Sequence, residues 1–314
     1  MPVAWVPYAD RAEAERRLGG TLAGLELDFY LGDGGELPAT LGEVVFYVLP
    51  YLKGTGVLDR VADMHRLEVV QTLTAGYEDY LPLLPDQVTL CNAAGLHDTS
   101  TAELAVALAL ASGRHLDQAA RNQVSGTWDQ RFGRSLADQR VLIAGYGHIG
   151  AAVEARLQGF EVASVTRVSR RGRTGPPPVH PIGDLPMLLP EADVVFVTAP
   201  YTPETEGMFG ARELGLLPDG ALLVNVARGK LVDTAALLAE LSAGRITAAL
   251  DVTDPEPLPA SHPLWHAPGV LISPHIGGPS SAFAPRADRL IAAQLARFAA
   301  GQPLENVVRP GQPR

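Results

Sequence analysis

Apolar runs alternate with amphipathic stretches along most of the chain. The runs predict strands at residues 3–6, 25–29, 43–48, 68–73 and 88–92. Glu43-Val-Val-Phe-Tyr-Val48 is nearly all apolar, which predicts a strand covered on both faces. Helical spacing places helices over 10–18, with Asp10 as N-cap, and over 57–64. A long helix over 99–112, capped by Thr99 or Ser100, follows. The rhythm then repeats, with strands at 140–144, 161–168, 194–198, 221–226, 246–252 and 270–273. Helices fall between them at 149–157, 185–189, 211–216 and 234–243, the last capped by Asp233 or Thr234. Residues 172–178 read as a surface loop, and 282–300 as a final helix. Strands that alternate with helices predict parallel sheets.

The 314 residues suggest two domains, and 46% hydrophobic content is enough to fill two cores. A net charge of −10 argues against a nucleic-acid backbone as partner. The single cysteine, Cys91, sits in an apolar run and has no internal disulfide partner, which suits a reducing cytoplasm. No apolar run approaches the length of a membrane span, and Met-Pro-Val-Ala-Trp does not open like a signal peptide. A cytoplasmic protein is expected.

The stretch Val141-Leu-Ile-Ala-Gly145-Tyr-Gly147-His-Ile-Gly150 carries the first chemistry. An apolar strand, a Gly-x-Gly-x-x-Gly turn and a helix former follow one another, the context that gives this fingerprint meaning. Gly145 is expected to make the turn, Gly147 to let a pyrophosphate approach, and Gly150 to let helix and strand pack closely. Free N–H groups at the helix start then face the phosphates. Gly229-Lys230 lacks the preceding glycine spacing of a phosphate loop.

In such a unit the second strand normally ends in an acid that holds the adenine ribose. Here it ends Thr166-Arg167-Val-Ser169-Arg170-Arg171, with no Asp or Glu. Arg167, Ser169, Arg170 and Arg171 are candidates for a 2′-phosphate, so NADP is favoured over NAD. The other reading of the run is a solvated basic loop.

Three later strand ends carry Arg228, Glu256 and His275 in Asn225-Val-Ala-Arg228-Gly, Asp251-Val-Thr-Asp-Pro-Glu256 and Ser273-Pro-His275-Ile-Gly-Gly278. Each alone is commonly a surface residue or a solvated turn. Together they supply what reduction of a 2-oxo acid needs: a cation for the carboxylate, a proton source for the developing alkoxide, and a partner for that source. His275 is the natural acid, with Glu256 to orient it and raise its pKa.

These motifs resemble the D-isomer-specific 2-hydroxyacid dehydrogenase family, most specifically over residues 140–280. The resemblance implies two α/β domains. One is a Rossmann-type doubly wound parallel sheet over 96–281. The other is a smaller flavodoxin-like substrate domain built from 1–95 and 282–314, with a cleft between the crossings. It implies Arg228 on the substrate carboxylate and carbonyl, His275 as acid/base, Glu256 as its partner, and Asp251 on the nicotinamide amide. It extends the cofactor set to Tyr146, His148, Ile149, Ala199, Pro200, Val226, His275 and Gly277. It assigns Ala75, Gly76 and Tyr77 to a loop whose backbone N–H groups take the substrate carboxylate, beside Arg228 and His275. It implies a homodimer through the cofactor domains, no metal, and a small substrate such as glyoxylate or hydroxypyruvate. Thr253 departs from the aromatic residue common there. Trp128 and His97 are expected near the hinge, with packing roles more in keeping than cleft-lining ones. Phosphite oxidation by the same three residues, and a dinucleotide-sensing corepressor, are the competing functions.

Overall fold

The computed structural model describes residues 1–20 and 24–312. In chain order it forms β1 (Val3–Val6), α1 (Arg11–Leu18), β2 (Glu26–Phe29), β3 (Val44–Val48), β4 (Val69–Gln71), β5 (Thr89–Cys91), α2 (Asp98–Gly113) and α3 (Leu116–Ser125). There follow β6 (Arg140–Ala144), α4 (His148–Leu157), β7 (Ser164–Ser169), β8 (Arg171–Arg173), β9 (Val179–Pro181), α5 (Leu185–Leu188) and β10 (Val194–Val197). The rest is α6 (Ala211–Leu216), β11 (Leu222–Asn225), α7 (Thr234–Ser242), β12 (Thr247–Leu250), β13 (Val270–Ile272), α8 (Phe283–Ala299) and β14 (Val307–Arg309). Two compact units result: Met1–His97 with Ser281–Arg314, and Asp98–Ser280.

The first unit has strand order β14-β5-β4-β3-β1-β2. All pairs are parallel except β14 with β5. Period-two alternation sorts its side chains: along β1, Ala4 and Val6 join one apolar cluster while Val3 and Trp5 join the other. Every residue of β3 is buried, as its apolar run predicts.

The second unit has order β13-β12-β11-β10-β6-β7-β9-β8, parallel throughout except the β8–β9 pair. The order reverses between β6 and β10, and in such sheets ligands bind outside the carboxyl ends of the strands at that point. Leu142, Ala144, Val195 and Val197 face one core; Val141, Ile143, Val194 and Phe196 face the other.

Some expectations do not hold locally. Residues 57–64 form two 3₁₀ turns, Thr55–Leu58 and Val61–Asp63, where one helix was expected. Arg60 at φ −106, ψ 16 and Met64 at φ −83, ψ 66 leave helical values, so the two turns do not join into one helix. Of the surface loop expected at 172–178, residues 172 and 173 belong to β8 and 174–178 form the hairpin tip that leads back into β9. Gly172, at φ +65 inside β8, leaves room for the β9 backbone, since a Cβ there would sit 2.8 Å from the Pro181 nitrogen. The short elements β14 and α3 carried no apolar run or core-facing stripe to reveal them. No described helix is long and apolar enough to cross a membrane.

Candidate active site

The glycine turn lies at the topological reversal. Gly145 has φ +113, and a Cβ there would sit 2.1 Å from the Ala199 nitrogen at the end of β10. A Cβ on Gly150 would sit 2.7 Å from the Gly145 oxygen and 3.0 Å from Ile143. Both glycines are therefore demanded by the protein's own packing. Gly147 differs: a Cβ there meets nothing within 4 Å. It is the N-cap of α4, and no side chain caps that helix end among the described residues. Open space in front of N–H groups at a helix start fits a pyrophosphate, and with it a dinucleotide. The Thr198 hydroxyl donates to the Gly145 oxygen at 2.9 Å and pins the turn. Ala199 and Val226 are buried, while Pro200, next along the chain, is exposed. His148 is largely exposed, with its Nδ1 3.4 Å from Asp98, and Ile149 packs against the core beneath.

The ribose end departs from the expectation for Arg167. Its guanidinium is forked by Glu154, which reaches over from α4; Nε donates at 2.7 Å to one carboxylate oxygen, and Nη2 donates to the other. The Tyr146 hydroxyl donates to the same carboxylate at 2.5 Å. The hydrogen bonds from Arg167 hold the Glu154 carboxyl below its usual value. Arg167 is thus a structural cation, and the arginines exposed past the strand end are Arg170, Arg171 and Arg173. Arg173 lies over the Tyr146 ring, 5.4 Å from its centroid. Ser169 is the half-buried last residue of β7. The chain near the strand end does lack an acid, but α4 supplies one that no local reading could place there.

Three neighbouring strand ends build the reactive group. Asn225 ends β11; its amide accepts from the Ala227 N–H at 3.0 Å and donates to the Arg228 carbonyl at 2.9 Å, which shapes the turn under Arg228. A Cβ on Gly229 would overlap the Thr253 carbonyl at 2.0 Å, so only glycine lets this turn approach the segment that carries Glu256. Thr253 holds that segment, its N–H 3.4 Å from Glu256 Oε2 and its hydroxyl donating to the Pro255 carbonyl at 2.9 Å.

Asp251 follows β12 and is 2% exposed. Its Oδ1 accepts from the Ser273 hydroxyl at 2.6 Å and the Ile276 N–H at 2.9 Å; its Oδ2 accepts from the Gly277 N–H at 2.8 Å. Its carbonyl accepts the His275 N–H at 2.8 Å. Gly277 is tightly packed, since a Cβ there would come to 3.0 Å from Asp251 Oδ2. Asp251 therefore organises the turn that carries His275. That turn places His275 at φ +52, the left-handed region.

The imidazole Nδ1 of His275 lies 2.5 Å from Glu256 Oε1. This hydrogen bond raises the His275 pKa; burial and the Arg228 charge oppose it, while the Glu256 and Asp251 charges add to it. Burial works to raise Glu256, but the His275 hydrogen bond and charge, the Thr253 N–H and the Arg228 charge outweigh it and leave the carboxyl below its usual value. A cation, a carboxylate and an imidazole thus share one place. Asn225 and Ser273 stood inside the strand-end motifs without a role of their own, and Thr198 and Glu154 stood outside them; what these side chains do carries no signal until the strand ends are aligned.

In the first unit, the loop at 74–77 is tied down from behind. Asn92 donates to the Ala75 carbonyl at 2.7 Å, and the Thr74 hydroxyl donates to the Gly76 carbonyl at 2.6 Å. The Tyr77 N–H, expected to meet substrate, donates instead to the Glu78 carboxylate at 2.9 Å. His97 is buried, hydrogen-bonded to the Leu73 carbonyl at 2.8 Å and stacked with Tyr51 and Phe283. Trp128, in contrast, is 94% exposed and packs in no core cluster among the described residues.

Known proteins show which family this chain is similar to. The family described as D-isomer specific 2-hydroxyacid dehydrogenase, NAD binding domain, matches residues 106–277. A glyoxylate reductase of Thermococcus gammatolerans is 33% identical over 254 residues, 76% of this chain and 75% of that protein. A D-3-phosphoglycerate dehydrogenase of Archaeoglobus fulgidus is 33% identical over 232 residues, 70% of this chain; the match spans only 43% of that longer protein. Among solved structures, a D-isomer specific 2-hydroxyacid dehydrogenase from Xanthobacter autotrophicus Py2, in complex with NADPH and MES, superposes with a TM-score of 0.80 at 30% identity, covering 98% of each chain. The chain belongs to the D-isomer specific 2-hydroxyacid dehydrogenase family and carries that family's NAD-binding domain.

Proposed function

We propose that this NAD(P)-dependent oxidoreductase reduces a small 2-oxo acid to the D-2-hydroxy acid, with glyoxylate or hydroxypyruvate as substrate and NADPH preferred over NADH. The observation that carries the reading is the 2.5 Å contact of His275 with Glu256 beside Arg228. The guanidinium of Arg228 forks onto the substrate carboxylate and polarises the adjacent carbonyl. With Nδ1–H donated to Glu256, the transferable proton of His275 is on Nε2, from where it passes to the carbonyl oxygen. The Glu256 carboxylate stabilises the imidazolium before transfer and holds the ring afterwards. NADPH, when bound along the Gly145–Gly150 turn, supplies the hydride that adds to the carbonyl carbon.

NADPH is favoured because Arg170, Arg171 and Arg173 follow a strand end whose own residues include no acid. The structural relative from Xanthobacter holds NADPH. The substrate reading leans on the Thermococcus relative, named a glyoxylate reductase. Steady-state assays with glyoxylate, hydroxypyruvate and larger 2-oxo acids, each with NADPH and NADH, test it. Turnover of a two- or three-carbon acid with NADPH ahead of NADH is expected; turnover of none of these acids overturns the reading.

We also propose a homodimer. Residues 114–133 form an excursion closed at its base by the Arg134 N–H donating to the Gly113 carbonyl at 2.7 Å. Its far part exposes Val124 at 91%, Trp128 at 94% and Phe132 at 105%. Large apolar groups this exposed mark an association surface, and a second copy of the chain is the partner it fits.

A further inference from the structure

We propose that Ser273 is a positioning residue for the reaction: its hydroxyl, through Asp251, sets the left-handed turn that brings His275 to Glu256. The proposal rests on the acid role given to His275 above and adds a residue that touches neither substrate nor cofactor in that role.

The geometry is specific. Ser273 directly follows β13 and is half-buried. Its N–H extends the sheet by donating to the Leu250 carbonyl at 2.8 Å, so its backbone is fixed. Its hydroxyl donates to Asp251 Oδ1 at 2.6 Å. The same oxygen accepts the Ile276 N–H at 2.9 Å, and Oδ2 accepts the Gly277 N–H at 2.8 Å. The Asp251 carboxylate thus joins the residue two before His275 to the two residues after it. His275 is spanned by this clamp and is left at φ +52, a conformation that a non-glycine residue keeps only when its surroundings impose it.

Asp251 is buried, so each donor matters. A buried carboxylate that loses one of three donors is left partly unsatisfied, and the turn it holds becomes free to relax toward ordinary φ values. Relaxation swings the imidazole away from Glu256. The charged groups facing His275 are Glu256 from the segment after β12, Asp251 from the end of β12, and Arg228 from the turn after β11. Loss of the Glu256 hydrogen bond removes the main influence that raises the imidazole and leaves the opposing Arg228 charge in place. Its titration then moves to lower pH.

The test compares Ser273→Ala and Ser273→Thr with wild type. Imidazole titration of His275 is followed by NMR in the protein without cofactor, and kcat and KM for a 2-oxo acid are measured across pH. Ser273→Ala is expected to lower the His275 midpoint, shift the alkaline limb of kcat/KM to lower pH, and reduce kcat roughly 10-fold or more, with the Kd for NADPH changed less than about threefold. Ser273→Thr, which keeps the hydroxyl, is expected to restore the wild-type midpoint and kcat. A thermal scan checks that Ser273→Ala is folded. A folded Ser273→Ala with a wild-type His275 titration and pH profile overturns the proposal, as does a Thr variant that behaves like Ala. A wild-type enzyme inactive on every 2-oxo acid would instead sink the functional reading, while the NMR comparison would still decide whether Ser273 sets the imidazole.

Discussion

His275 Nδ1 lies 2.5 Å from Glu256 Oε1, although 18 residues separate the two along the chain and each stands alone at its own strand end. The contact fixes the imidazole tautomer and raises its pKa above the ordinary value near 6.5. In the proposed reduction the acid form is the working form, and a raised pKa keeps it populated to higher pH. Reductive kcat/KM is therefore expected to hold through neutral pH and to fall as pH rises through a midpoint above 6.5. Glu256→Gln removes the carboxylate, so the midpoint should drop and activity at pH 8 should fall more than activity at pH 6. A pH–rate series on both proteins checks the sign; an alkaline limb that does not move contradicts the pairing.

In the proposed reaction Arg228 offers the substrate a planar fork, which a lysine does not reproduce. Arg228→Ala should lower kcat/KM on the order of 10²–10⁴, the size of a lost charge-stabilising contact, and Arg228→Lys should recover only part of it. Steady-state kinetics on the 2-oxo acid decide this. Activity within threefold of wild type in Arg228→Ala would remove Arg228 from the site.

The three glycines of the turn should separate cleanly by experiment. Gly145→Ala forces a Cβ to 2.1 Å from the Ala199 nitrogen at φ +113, and Gly150→Ala meets the Gly145 oxygen at 2.7 Å. Both should lose several degrees of thermal midpoint. Gly147→Ala meets nothing within 4 Å, so its melting should be close to wild type while its Kd for NADPH rises at least 10-fold. Thermal scans and cofactor titration by fluorescence measure both. A Gly147→Ala protein that binds NADPH normally would move the pyrophosphate elsewhere.

Cofactor choice should depend on Arg170 and not on Arg167. Arg170→Asp is expected to lower the NADPH/NADH ratio of kcat/KM by at least 10-fold, since it removes a cation and adds an acid near the 2′-phosphate. Arg167→Ala breaks the fork with Glu154 and should cost stability while leaving the ratio within about threefold.

Much of this was legible beforehand. Alternating and all-apolar runs located most strands of both sheets, because parallel strands buried on both faces leave a continuous apolar record. The glycine turn and the three strand-end motifs pointed to Arg228, Glu256 and His275, because strand ends in such a sheet all open toward one edge. What the chain concealed was lateral. Glu154 captures Arg167 from a helix 13 residues away, and Ser273 reaches Asp251 across 22 residues. Such pairs exist only once strands align, and Ser or Glu is ordinary at either position. β14 escaped notice because Val307 and Val308 stand beside polar residues; what fixes this edge strand is Arg309, whose guanidinium donates to the carbonyls of Pro85 and Val88 at 2.8 and 3.1 Å.

The exposed excursion gives an independent prediction. Trp128→Asp with Phe132→Asp should convert a dimer to a monomer in light scattering at micromolar concentration. Neither residue has a core to lose within one chain, so secondary structure by circular dichroism should be unchanged.

The most direct measurement is kcat/KM for NADPH-dependent reduction of glyoxylate and hydroxypyruvate by wild type and His275→Ala, made alongside NADPH binding. The account predicts turnover by wild type, a loss on the order of 10²–10⁴ in the variant, and cofactor affinity that changes little. A variant that binds NADPH normally and reduces the acid within tenfold of wild type would contradict it.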